Sequence, residues 1–233
     1  METLFFENVR KKYPYEKYFL LDGITFSVKK GQKKGILCER QSGKSTIVKL
    51  AADLTKPTEG QILLDGKPLC ETEISKRNIC VIFDDFALMN KSVEKNLAYP
   101  LKVRKEKDIQ NKVDFALKEF CLEEVKNFKP KKLTESQKLA AVFARASLRN
   151  FDFVLFDDIF RHTEKSEAMA LADKLLKEKN AGCLFFSSDA NDLDFCDSVI
   201  VIADGKTLFE GEPSEAENFV KTTKCFNKYE TGE

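Results

Sequence analysis

Short apolar runs separated by polar turns mark the first third of the chain. Leu4 to Phe6, Ile24 to Val28 and Gly35 to Leu37 read as strands, and Gln61 to Leu64 reads as a fourth, closed by the turn pair Asp65-Gly66. Between the last two of these, Lys44 to Leu54 places apolar residues at 47, 48, 51 and 54, the spacing of one helical face. From about Asp84 to Leu148 the period becomes helical throughout. Ile109, Val113, Leu117 and Phe120 recur at three or four residues, and Thr134 with Gln137 forms a T-x-x-Q capping box that opens a further helix. Uninterrupted apolar runs then return at Phe153 to Phe156, Cys183 to Phe186 and Ser198 to Ile202, with a helix around Glu167 to Lys177. Strands without alternation bury both faces, so they predict a mainly parallel α/β sheet covered by helices. The helical middle is then an insertion into that α/β core.

Composition narrows this picture. The 233 residues, 42% hydrophobic and 33% charged, are enough to bury a core and exclude a disordered chain. Thirty-nine Lys+Arg against thirty-eight Asp+Glu leave a net charge of +1, which gives no bulk attraction for a nucleic-acid polyanion. The run Lys126, Lys129, Lys131 and Lys132 reads as a solvated loop face, with anionic headgroups a secondary reading. METLFFENVRKKYPY carries charge by Glu7 and Arg10, so no secretory signal is expected, and no apolar run approaches the ~20 residues that cross a bilayer. Seven cysteines, at 38, 70, 80, 121, 183, 196 and 225, include no C-x-x-C pair, which points to a reducing cytosol and to neither a disulfide framework nor a zinc site. His162, the single histidine, would have to carry any His-based metal site or Ser/His hydrolase alone, and it reads as a solvated loop residue.

The most informative stretch is Gly35-Ile36-Leu37-Cys38-Glu39-Arg40-Gln41-Ser42-Gly43-Lys44-Ser45-Thr46. A strand ends, a loop turns and a helix begins, aiming backbone N–H groups, a helix N-terminus and an ammonium at one point suited to phosphate. In the pattern G-x-x-x-x-G-K-[ST], the Ser45 hydroxyl would ligate Mg²⁺ and Lys44 would reach the outer phosphates. Cys38 stands at the first glycine; the cysteines read as small packed apolar groups, with Cys38 the one exception to watch, because a phosphate loop and helix N-terminus can lower a thiol pKa. Gly-Lys-Ser/Thr alone arises by chance in roughly one chain in ten of this length, as a helix start with a surface lysine. A second element argues against that: Phe153-Val154-Leu155-Phe156-Asp157-Asp158 is an apolar strand ending in two carboxylates, and a strand-end Asp beside the loop is how a P-loop NTPase holds Mg²⁺.

These landmarks, with others in the same order, resemble the ATP-binding subunit of an ABC (ATP-binding cassette) transporter over nearly the whole chain. Tyr13 stands where the family has its adenine-stacking aromatic. Pro57-Thr58-Glu59-Gly60 with Asp65-Gly66 resembles its P-T-x-G-x-I-x-x-D-G hairpin. Phe83-Asp84-Asp85-Phe86-Ala87-Leu88 falls at the Q-loop, followed by Asn96-Leu97-Ala98-Tyr99-Pro100-Leu101. Leu133-Thr134-Glu135-Ser136-Gln137 stands at the LSGGQ signature, before Ala144-Arg145-Ala146. Asp157-Asp158 matches Walker B and its catalytic acid, and Arg161 to Glu164 the D-loop. Ser187-Ser188-Asp189 occupies the H-loop, and Asp204-Gly205-Lys206 with Gly211-Glu212-Pro213 the closing hairpin.

The resemblance implies an α/β P-loop NTPase with a RecA-like core, an N-terminal antiparallel β subdomain and an inserted helical subdomain. The whole of 1–233 would be one ATP-binding domain: 1–83 and 149–233 the core with its β subdomain, 84–148 the helical subdomain with the signature. It implies ATP held by Tyr13 and by Cys38, Glu39, Arg40, Gln41, Ser42, Gly43, Lys44, Ser45 and Thr46, and Mg²⁺ held by Ser45, Asp157 and Asp84. Its partners would be a transmembrane permease subunit, for which Phe83, Phe86, Leu88, Met89 and Tyr99 offer apolar contact unless an ordinary subdomain core accounts for some of them, and a second ATP-binding subunit in a homodimer or heterodimer. The location would be cytoplasmic and peripheral, on the inner face of the cell membrane.

The departures from the family pattern each have a physical address. Asp158 replaces the glutamate that polarises the attacking water and is shorter by one methylene, about 1.5 Å of reach. Ser188 replaces the histidine that bridges the γ-phosphate, and Asp84 replaces the Q-loop glutamine with an acceptor-only carboxylate. Glu135 and Ser136 replace two signature glycines, putting a carboxylate where a partner's phosphate approaches. Because Walker-side and signature defects lie in one chain, both sites of a head-to-tail dimer would contain at least one. Slow or absent hydrolysis with retained nucleotide binding is the expectation. The alternative is a regulatory or structural subunit that keeps the cassette fold for assembly; an unrelated P-loop kinase would leave the signature, D-loop and hairpin as coincidence.

Overall fold

The computed structural model describes residues 2–39, 42–73, 77–83, 85–161 and 163–223. Among the described residues, ten strands follow one another. They are β1 (Thr3–Lys11), β2 (Leu21–Lys29), β3 (Lys33–Cys38), β4 (Glu59–Leu64), β5 (Lys67–Pro68), β6 (Ile79–Ile82), β7 (Phe153–Asp157), β8 (Gly182–Ser187), β9 (Ser198–Ala203) and β10 (Lys206–Gly211). The α-helices are α1 (Lys44–Ala51), α2 (Val93–Val103), α3 (Ile109–Glu119), α4 (Glu135–Ser147), α5 (Lys165–Lys179) and α6 (Pro213–Thr222).

The chain divides into two units. The first takes in the described residues through Val81, with Asp152–Asp158 and the residues from Ala181 onward; the second comprises Ile82–Phe151 and Ile159–Asn180. In the first unit, β1, β2, β4 and β5 form an antiparallel sheet in the order β2-β1-β4-β5. Alternation sets its inward face: Leu4, Phe6, Ile24, Phe26 and Val28 are buried, and the Phe6 and Phe26 rings stack with centroids 4.4 Å apart. A six-stranded sheet runs in the order β10-β9-β3-β8-β7-β6, with β9, β3, β8 and β7 mutually parallel and β10 antiparallel to β9. Every residue of β7 and β8 is buried, as an uninterrupted apolar pattern demands of a central strand.

A buried ammonium lies within this core. Lys34 in β3 is only 4% exposed, and its ammonium reaches Glu210 Oε1 on β10 at 2.6 Å. Desolvating an ammonium is tolerable only with such a partner.

In the second unit the capping box is present as read from the sequence: Thr134 Oγ1 accepts from the Gln137 N–H at 3.2 Å, and Gln137 Oε1 accepts from the Thr134 N–H at 3.1 Å. Val113, Leu117 and Phe120 are buried along and just beyond α3, as their spacing predicts. Buried Asn96 in α2 closes the preceding turn, accepting from the Met89 N–H at 2.8 Å and donating to the carbonyls of Met89, Lys91 and Ser92. Arg145 donates to the carbonyls of Ala87 and Phe86 at 2.8 and 3.3 Å, bracing two consecutive non-glycine residues with positive φ.

Two features correct the pattern-based reading. The first helix ends at Ala51 rather than Leu54: Asp53 turns left-handed with φ 51°, Leu54 is 66% exposed, and Arg77 anchors the Asp53 carboxylate at 2.6 Å. The helical period begins at Val93, since 85–92 is turn and irregular chain.

Gly60 in β4 shows why the hairpin position needs glycine. Its φ is 73°, and a Cβ there would lie 2.1 Å from the Asn8 carbonyl oxygen. Gly66 has a similar φ of 76° with nothing within 4 Å of its would-be Cβ. Gly66→Ala is therefore expected to cost about 1 kcal/mol from backbone conformation alone, and Gly60→Ala at least about 2 kcal/mol more because backbone must move. Urea denaturation of the two variants checks the ordering.

Candidate functional site

The site is built where β3 runs out of the core sheet. After buried Cys38 the chain turns, with the Ser42 N–H and hydroxyl both donating to the Glu39 carbonyl at 3.1 and 2.6 Å. Gly43 then adopts φ 96°, where a Cβ would lie 2.9 Å from Leu21 Cδ2, and its carbonyl accepts from the N–H groups of Thr46 and Ile47 as α1 begins. The first turn of α1 carries no acidic residue, and its cap contributes no side-chain hydrogen bond.

Opposite this helix start, β7 delivers its carboxylates. Asp157 closes the strand, and Asp158 follows in left-handed backbone with φ 48°, its N–H donating to the Phe186 carbonyl at 3.1 Å. The Lys44 ammonium donates to Asp157 Oδ1 at 2.7 Å and to Asp158 Oδ2 at 2.5 Å. Burial draws the ammonium's pKa down, but the two hydrogen bonds and the charges behind them outweigh it, so Lys44 titrates above the ordinary lysine value. It is a permanent cation at physiological pH.

Ser45 is exposed, Thr46 is buried, and the Tyr13 hydroxyl lies 3.3 Å from Thr46 Oγ1, with the Lys11 ammonium over the Tyr13 ring at 5.1 Å. Ser188 is half-buried just past the end of β8, beside Ser187, whose hydroxyl donates to Asp192 Oδ2 at 2.6 Å. Arg40, Gln41, Asp84 and His162 lie outside the described residues. The Cys38 expectation is corrected: complete burial pushes its thiol up to about 12, and the opposing influence of Lys44 does not offset this.

The signature-like segment belongs to the second unit. Leu133 is buried, Thr134 and Gln137 are engaged in the capping box, and the Glu135 carboxylate pairs with Lys138 at 2.5 Å. The Ser136 hydroxyl donates to Glu167 Oε2 on α5 at 2.8 Å. Beside Glu135 lies a cleft of about 280 Å³ whose walls include Asp85, Phe86, Leu88 and Pro130. Sequence reasoning missed Glu167, which stands 31 residues from Ser136, and it missed the direct contact of Asp158 with Lys44. The second had a signal in the doubled aspartate at a strand end.

Strand, glycine turn and helix, bringing a lysine to strand-end aspartates on a parallel sheet, define a P-loop NTPase of the α/β class. The family model described as ABC transporter matches residues 21–161. The chain is 32% identical over 180 residues to the sn-glycerol-3-phosphate import ATP-binding protein UgpC of Bordetella avium, covering 76% of this chain and 50% of that protein. It is 30% identical over 236 residues to the methionine import ATP-binding protein MetN 2 of Bacillus anthracis, covering 95% of this chain and 70% of that one. Among solved structures it is similar to cbiO1 from Clostridium perfringens, part of the ABC transporter complex cbiONQ, with TM-score 0.79, 25% identity and coverage of 94% and 93%. The chain belongs to the ABC transporter family, as its nucleotide-binding domain. It spans half of the length of UgpC and 58–65% of others among its curated relatives.

Brief iodoacetamide treatment of the native protein at pH 8, followed by peptide mapping, is expected to modify exposed Cys70 and Cys121 and to leave buried Cys38 and Cys183, whose thiol is also raised by burial, unlabelled until the protein is unfolded.

Proposed function

We propose that this chain is the nucleotide-binding subunit of an ABC transporter complex, binding Mg·ATP and coupling nucleotide-driven dimer closure to a separate membrane subunit, with slow or absent hydrolysis. The observation that carries the reading is the convergence of Lys44 at the start of α1 with Asp157 and Asp158 at the end of β7. In this reading the loop 38–46 cradles the phosphates, Lys44 neutralises the outer ones and Tyr13 stacks on adenine.

Ser45 and Asp157 present a hydroxyl and a carboxylate, the hard oxygen donors that Mg²⁺ takes together with phosphate and water. Asp84 is assigned beside them on the resemblance alone. When bound, Mg²⁺ supplies charge neutralisation across the outer phosphates. The remaining chemistry falls to Asp158 and Ser188, one carboxylate too short for the water and one hydroxyl too short for the γ-phosphate. A misplacement of about 1 Å costs on the order of 100-fold in rate.

Glu135 and Ser136 support reduced service to a partner's nucleotide. The carboxylate sits in the first turn of α4, and the hydroxyl is already donated to Glu167. The partners proposed are a transmembrane permease subunit and a second ATP-binding subunit, of the same or another kind. Two relatives are named import ATP-binding proteins and cbiO1 is part of a transporter complex, which supports that assembly. No helix among the described residues is long and apolar enough to cross a membrane, which fits a peripheral place on the cytoplasmic face. The segment 133–137 also supports a second reading, a non-hydrolysing regulatory or structural subunit.

Fluorescent ATP is expected to bind in the presence of Mg²⁺, with Lys44→Ala weakening it at least tenfold. Mg·ATP turnover should be far below that of a transporter ATPase and should rise at least tenfold in the double variant Asp158→Glu, Ser188→His. Ordinary turnover abolished by Asp158→Ala would overturn the slow-hydrolysis reading, and absence of all ATP binding would leave the structural one.

A further inference from the structure

Lys44 offers three N–H donors, and two of them are spent on carboxylates. At 2.7 and 2.5 Å both contacts have the length of charge-assisted hydrogen bonds, the stronger kind. The three side chains are 15%, 9% and 21% exposed, so water screens the cluster little. The two carboxylates are not equivalent. Asp157 is the last residue of β7, fixed by sheet pairing opposite Phe186. Asp158 lies one residue further on, in a left-handed conformation that aspartate tolerates better than most residues, and its N–H is anchored on the Phe186 carbonyl. This backbone turn aims the short side chain at the ammonium.

We propose that Asp158 is an internal competitor for Lys44, a carboxylate that engages the ammonium directly and thereby sets how tightly the loop holds the outer phosphates of a nucleotide. The inference rests on the nucleotide-binding reading above and adds a role for Asp158 that is independent of hydrolysis. A phosphate can take Lys44 fully only as the Asp158 contact is given up, so part of the gain from each new Lys–phosphate bond is offset by the loss of the old one. The competition falls on phosphates within the lysine's reach, so ATP and ADP feel it and AMP does not. Removing the carboxylate function while keeping the side chain's size lifts the competition.

The test is equilibrium binding of fluorescent ATP, ADP and AMP in EDTA, so that no divalent ion contributes, with the full chain and its Asp158→Asn variant. Asp158→Ser serves as a second variant in case the asparagine amide disturbs the turn, and circular dichroism confirms that each is folded. The expected result is about tenfold tighter ATP and ADP and unchanged AMP. Loss of a negative charge near phosphate could tighten binding without any lysine, so the comparison is repeated in a Lys44→Met background, where the gain should disappear. A second readout uses the chain before nucleotide is added: the amine-labelling rate of Lys44, relative to the other lysines, should rise several-fold in Asp158→Asn. Failure of every variant to bind ATP would overturn the nucleotide-binding reading and this inference together. ATP binding unaffected by Asp158→Asn, a gain that persists in the Lys44→Met background, or an unchanged Lys44 labelling rate would overturn the inference alone.

Discussion

The chemistry of this chain depends on β3 and β7 flanking the same strand. Both pair in parallel with β8, Leu37 opposite Ser187 on one side and Asp157 opposite Phe186 on the other, so their carboxyl ends emerge at one edge of the sheet. From there one strand launches the glycine turn and the other ends in its acids, and the Lys44 ion pairs close the gap. Parallel strands with buried faces offer few polar atoms until they end, which concentrates reactive groups at that edge. Burial of the pairs raises their interaction strength and also the cost of leaving any member without its counter-charge.

The same economy marks the second unit. Two polar side chains there hold irregular chain in place: Asn96 closes one turn with four hydrogen bonds, and Arg145 braces residues whose backbone is otherwise unfavourable. The segment 133–137 follows this habit, its polar groups turned to capping, to Lys138 and to Glu167. Side chains so engaged give α4 a well-defined start and little spare donor capacity.

Much of this was legible in the sequence, and the physics explains which parts. Uninterrupted apolar runs identified β7, β8 and β9, because central parallel strands leave no polar face to confuse the pattern. The Thr134–Gln137 box is local, and so is the Gly43-Lys44 helix start, so both could be read from adjacent letters. What escaped depends on contacts distant in sequence. Leu54 continues an apolar period that the Asp53–Arg77 pair cuts short, β6 offers only four residues of pattern, and Ser136 meets Glu167 through packing of two helices. At Cys38 the residue type and loop suggested an activated thiol, but burial dominates the electrostatics. The direction of Asp158 required a backbone angle that no sequence pattern encodes.

The buried ammonium of Lys34 gives the sheet a property that its hydrogen bonds alone would not. Its counter-charge, Glu210, belongs to the edge strand β10, while Lys34 lies on β3, the strand that leads into the glycine turn before α1. Peeling β10 away would strand a charge in the middle of an apolar layer, so fraying at this border carries an electrostatic penalty as well as the loss of ladder bonds. The edge strand is thereby tied by charge to β3, two places inward in the sheet, so the rim and the strand that leads into the glycine turn before α1 are held by one ion pair.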